Sequence, residues 1–197
     1  AAVQQSGAGL TLQADGKILL TGSSYPSSQN DVLLVRLTAD GSLDTGFGGG
    51  DGIVTTDLGV NEVGTTAVVQ ADGKFLIGGH TDGAGTDFLV VRYNPDGSLD
   101  TSFGGGDGVV TTSFGGTASD LLTSLVVQSD GKIVVAGTSA DDSSDDPDAT
   151  ESGFALARYR SDGTLDPTFG GDGKVIFPLR WRPCTPCSAS ATTSTRS

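Results

Sequence analysis

Apolar residues run through this chain in short bursts of Val, Ile, Leu and Phe, each closed by Asp, Gly, Asn or Pro. In the middle of the chain the bursts fall at Thr66–Gln70, Lys74–Gly79, Asp87–Tyr93 and Gly108–Thr112, and no stretch sustains a helical period. Short β-rich runs with turn residues between them predict strands, so the chain reads as all-β. Ala71-Asp72-Gly73 joins the first two strands, where the Asp-Gly pair is expected to supply the positive φ angles of a tight hairpin. The same turn recurs at Asp15-Gly16 and Asp130-Gly131. A loop of variable length joins strands two and three, and Asn94-Pro95-Asp96-Gly97 turns the chain out of strand three.

This pattern is written three times. GSLDTGFGGGDG at 41–52, GSLDTSFGGGDG at 97–108 and GTLDPTFGGDG at 163–173 mark the copies, and the QADGK, QADGK and QSDGK hairpins keep phase at Gln13, Gln70 and Gln128. The third copy is longer only by the acidic insertion DDSSDDPDATE, residues 141–151. Self-similarity at such a period means a solenoid, a propeller or an array. Four antiparallel strands per copy predict three β-propeller-like blades, at 10–59, 60–116 and 117–178, with an N-terminal segment at 1–9 and an irregular tail at 179–197.

The link between strands three and four carries most of the identity. Leu43 with Phe47, Leu99 with Phe103 and Leu165 with Phe169 are spaced to tuck under the turn and pin it to the blade. The Gly run that follows permits backbone geometry closed to other residues. Arg36, Arg92 and Arg158 each interrupt an apolar strand, where an unpaired charge would be costly. The expected partners are Asp44, Asp100 and Asp166, because Arg and Asp recur together in all three copies. An Arg lining a ligand channel is the competing idea.

The succession LQADGKILLTG, DVLLVRLTADGSLDTGFG and GGDGIVTT resembles the delta-60 repeat, a bacterial repeat, over about residues 10–177. The resemblance implies propeller blades within large secreted or cell-surface bacterial proteins, and no established biochemical activity.

Propellers usually close with 4–8 blades, and this chain supplies three. It is therefore expected to be part of a longer propeller, or half of a ring closed by a second copy as a homodimer, since open blades expose strand edges. The absence of Met points to a fragment or a processed product. The tail PLRWRPCTPCSASATTSTRS abandons the repeat and holds both cysteines, Cys184 and Cys187. A lone C-x-x-C with the only His far away at His80 is weak support for a zinc or redox centre.

A formal charge of −13 argues against nucleic-acid or anionic-membrane binding. No segment reads as a membrane span or a signal peptide. Asp141, Asp142, Asp145, Asp146, Asp148 and Glu151 offer carboxylates to calcium, but their spacing is not that of an EF-hand loop. GGGDG and GGDG are reminiscent of RTX calcium turns, which come in tandem; here they are far apart and read as hairpins. Ser98-Leu99-Asp100 imitates the start of the Asp-box of sialidase-type propellers, a structural motif from which no glycosidase activity follows. No G-x-S-x-G elbow, P-loop or dinucleotide fingerprint occurs in its required context. His80 is expected on a surface loop.

No catalytic, cofactor-binding or metal-ligating residue is assigned from the sequence. The expectation is a non-enzymatic, secreted or surface-displayed module whose partner, a protein or a glycan, meets the loops Ser23–Asn30, His80–Thr86 and Ser139–Ser152. The alternatives are a carbohydrate-active propeller using acidic loop residues and a calcium-stabilised adhesion module.

Overall fold

A computed structural model describes residues 4–25, 29–83, 85–115, 118–141 and 151–178. Among the described residues there are twelve strands. The first blade holds β1 (Gln4–Leu12), β2 (Ile18–Tyr25), β3 (Asp31–Leu37) and β4 (Ile53–Thr56). The second holds β5 (Asn61–Val69), β6 (Phe75–Asp82), β7 (Thr86–Tyr93) and β8 (Val109–Thr112). The third holds β9 (Ser119–Val127), β10 (Ile133–Asp141), β11 (Glu151–Tyr159) and β12 (Lys174–Pro178). Each blade is an antiparallel meander in chain order, and one parallel bridge, Thr86 to Ser119, links the second blade to the third. The fold is all-β, three four-stranded propeller blades whose sheets do not close into a ring.

The strands run longer than their apolar cores. β5 begins at Asn61 because a bulge between Gly64 and Thr66 lets the polar start of the strand continue the ladder with β6. The same bulge lies between Gly7 and Gly9 in β1, so the first blade takes in residues that the sequence pattern left in a separate segment at 1–9. The hairpins also differ from expectation. Only Gly73 has a positive φ, 84°, while Asp72 does not. Gly73 N–H donates to Gln70 O, and the Asp72 carboxylate instead accepts from Lys74 N–H. The turn is thus of type I with a left-handed Gly, and Asp serves as an acceptor.

The core lies between blades. Side chains alternate across a strand, so both faces of a middle blade can be buried. Leu89 and Val91 of β7 pack with Leu19, Val32, Leu34 and Phe47 of the first blade. Phe88 and Val90 of the same strand pack with Leu122, Ile133, Val135 and Ala155 of the third. That two-sided burial explains why β7 reads as an almost unbroken apolar run. Tyr93 and Tyr159 add polar clasps, their hydroxyls lying 2.7 Å from Thr56 and Thr112 of the preceding blade.

Candidate functional site

Meandering strands give every blade two ends. The DGK hairpins and the SLDxxFG turns share one, the turn end; the β2–β3 type loops and the links between blades share the other, the loop end.

At the turn end the expected ion pairs form in all three copies. Arg36 Nε lies 2.8 Å from Asp44 Oδ2, Arg92 Nε 2.6 Å from Asp100 Oδ2, and Arg158 Nε 2.9 Å from Asp166 Oδ2. Each Asp also faces the Lys of its own DGK hairpin, Lys17 at 3.1 Å, Lys74 at 2.7 Å and Lys132 at 3.7 Å. Each guanidinium stacks over the Phe of its turn, 4.4 Å from the Phe47 and Phe103 ring centres and 4.9 Å from that of Phe169. Burial works against the charge on Asp100, but Lys74, Ser102 and Arg92 outweigh it and hold its carboxyl well below the usual range. The Gly46 amide and Lys17 lower the pKa of Asp44 as well. Asp51, Asp107 and Asp172 of the Gly runs cap turns by accepting from the amides of Ile53, Val109 and Lys174.

The knot also joins blades, which the sequence did not reveal. Arg36 Nη1 donates to Pro95 O at 2.6 Å and Arg92 Nη1 to Ser161 O at 2.5 Å, both in the next blade. Phe47 and Phe103 are fully buried there, so they pin the turn to the next blade and not merely to their own. A Cβ on Gly97, at φ 93°, would stand 2.8 Å from the Phe47 ring. Leu43, expected beneath its turn, is instead half exposed at 48%.

His80 does not sit on a surface loop. It is a half-buried residue within β6, opposite Phe88, because β6 and β7 stay paired out to Asp82 and Thr86. Burial pushes its imidazole pKa down, against the pull of Asp82. The flanking strands accordingly reach further than expected, to Tyr25 and Asp31, to Asp82 and Thr86, and to Asp141 and Glu151. The acidic side chains of 141–151, and Cys184 with Cys187, lie outside the described residues.

The loop end holds a cluster that the sequence pattern did not single out. Asp31 opens β3, Asp57 follows β4 and Glu62 lies at the start of β5, and one carboxylate oxygen from each lies within 4.8 Å of the others. Asp31 and Glu62 are buried and Asp57 is exposed. Glu62 Oε1 accepts from the amides of Leu58 and Val60, while Oε2, also buried, has no hydrogen-bond partner among the described residues. Burial is the main cause that pushes the pKa of Glu62 up; the two backbone amides oppose it, and Asp31 and Asp57 add to it. Asp31 is raised in the same way, by burial and then by Asp57. The available signal was recurrence: Asp87 and Asp120 occupy the places of Asp31 and Glu62 one blade later, but turn aspartates are so numerous that this pair did not stand out.

Residues 13–47, 70–103 and 128–169, more than half of the chain, match the family model described as a domain of unknown function (DUF5122) beta-propeller. No curated protein matches the chain. The three matched segments each run from a DGK hairpin to the Phe of the following turn, the part of each blade that builds the Arg–Asp–Lys knot, and on that ground the chain belongs to the DUF5122 β-propeller family.

Proposed function

We propose that this chain is a non-enzymatic propeller module of a secreted or cell-surface bacterial protein, which docks further blades through its end faces and offers its loop end to a protein or glycan. The resemblance to delta-60 repeats supports the setting. One observation carries the docking: Val32 and Phe88 are fully buried by the following blade, whereas Phe154, in the same position of the third blade, is 55% exposed. The ladder places Phe177 and Leu121 in a row with it, both exposed. On the opposite side of the molecule Leu10 and Leu12 of β1 are exposed too. The two faces repeat the halves of an interface already built twice inside the chain, so a second copy of the chain is the natural occupant.

Light scattering tests this reading. The chain is expected to run heavier than its 19.7 kDa monomer, and Phe154→Lys with Phe177→Lys to return it to that mass. A monomer at every concentration would contradict docking by a second copy. Replacing the loops at 26–30 and 142–150 with Gly-Ser stretches should abolish any signal on a glycan array without altering the melting temperature; signal that survives would place recognition elsewhere.

A further inference from the structure

The two blade junctions share their architecture but not their charge at the loop end. At the second junction Asp87 and Asp120 stand where Asp31 and Glu62 stand at the first, with Ser113 in place of Asp57. Asp120 Oδ2 accepts from the Phe114 amide much as Glu62 accepts from the Leu58 amide. Here a lysine stands close enough to act on the carboxylate, although Asp120 Oδ1 is buried without a hydrogen-bond partner among the described residues. Lys174 leans over the Phe114 ring and donates to Ser113 O at 3.0 Å, and its charge favours ionised Asp120. The first junction has Val109 in the place of Lys174. Among the described residues no Lys or Arg pairs with Asp31, Asp57 or Glu62.

We propose that Asp31, Asp57 and Glu62 bind a hard divalent cation, calcium by preference, at the junction of the first two blades. Two observations meet in this assignment. The three oxygens lie within 4.8 Å of one another, and ligands on opposite sides of one calcium ion stand about 4.6–5.2 Å apart. Independently, Glu62 is wholly buried with Oε2 unpartnered, an acceptor that no group among the described residues satisfies. A cation supplies what Oε2 lacks and offsets three negative charges held together. The backbone amides of Leu58, Val60 and Gly59 hold Glu62 and Asp57 in place from the link between the blades. Exposed Asp57 leaves the solvent side open, so water completes the six to eight oxygens that calcium takes. The ion would clamp the end of the first blade to the start of the second. This site is separate from the acidic insertion at 141–151 and does not depend on what the loops recognise.

The test is calorimetric titration of chelator-stripped protein with calcium chloride, paired with thermal melting. It is run in the full chain and in a version with Asp141, Asp142, Asp145, Asp146 and Asp148 changed to Asn and Glu151 to Gln. Both should bind calcium at the junction, with the melting temperature rising roughly 5–10 °C when calcium is a hundredfold above its dissociation constant. Glu62→Gln and Asp57→Asn should each abolish the junction heat and the shift. The amide oxygen introduced by Glu62→Gln can still accept from the backbone N–H groups, and Asp57→Asn changes a side chain at the surface, so at least one variant keeps the fold. Failure of the unaltered chain to bind would overturn the proposal. So would a response that survives both substitutions, or one lost when the insertion alone is neutralised. An equal response to magnesium would overturn the assignment to calcium.

Discussion

The two ends of these blades are built from similar residues to opposite effect. At the turn end each buried aspartate is met by an arginine and a lysine, three times over. At the loop end Asp31, Asp57 and Glu62 meet one another, while one blade later Lys174 stands near Asp120. Repeat symmetry thus marks what the fold needs, and its failure marks where the chain has been adapted. Aspartates that recur with their cations are spent on structure; carboxylates gathered without one have capacity left for a ligand.

Breaking the turn end should have the largest effect. Arg92→Ala removes the ion pair to Asp100, the stack on Phe103 and the bond to Ser161 O. Severing a buried pair of this kind costs about 3–5 kcal/mol, readable as a shift in the urea midpoint. Arg158→Ala should cost less, because Arg158 is more exposed than Arg92 and among the described residues bonds to no next blade. Equal losses would contradict the role of the knot in joining blades.

A glycine pair sharpens the same point with a smaller effect. Gly41 and Gly97 are equivalent and left-handed, at φ 87° and 93°. A Cβ on Gly41 meets open space, so Gly41→Ala carries only the backbone penalty of about 1–2 kcal/mol. Gly97→Ala adds overpacking against Phe47, about 1–3 kcal/mol more. Matching urea midpoints for the two variants would mean that Phe47 does not hold the blades together.

The smallest effect lies in pH. Asp100 is depressed, so its contribution is present above the unfolded carboxyl pKa, about 3.9, and is lost as pH falls through its lower folded value. Asp120 is raised, chiefly by burial, with the Ser139 hydroxyl and the Phe114 amide opposing, Asp87 adding, and Lys174 opposing. Stability linked to it is full below about 3.9 and lost as pH rises through its folded value. Asp120→Asn should therefore raise the melting temperature slightly at pH 7 and leave it unchanged at pH 3; Asp100→Asn should lower it at pH 7. Shifts of the same sign would erase the contrast between the ends.

The turn end was largely legible in the sequence. Arg36, Arg92 and Arg158 interrupt apolar strands at fixed distances from Asp44, Asp100 and Asp166, and a buried charge needs a partner. Hidden from the pattern was everything that crosses between blades. The reach of Arg36 to Pro95 and the seat of Phe47 against Gly97 join residues of successive copies, and the copies repeat without stating how they stack. The loop end was less legible still. Asp31, Asp57 and Glu62 belong to three segments of two blades, and nothing in their spacing distinguishes them from the aspartates that cap turns. His80 was misplaced because Gly78 and Gly79 look like the end of a strand, whereas the ladder continues through them to Asp82.

If the cation binds as proposed, the charge at the loop end, and not the shared blade architecture, determines whether a junction takes it. The most direct measurement is the number of calcium ions bound per chain after the second junction is given the side chains of the first, by Ser113→Asp, Asp120→Glu and Lys174→Val together. One additional ion relative to the unaltered chain is the expected result, and Lys174→Val with Glu62→Gln alone should bind none at either junction. An unchanged stoichiometry in the triple variant, with its fold intact by circular dichroism, would contradict the account.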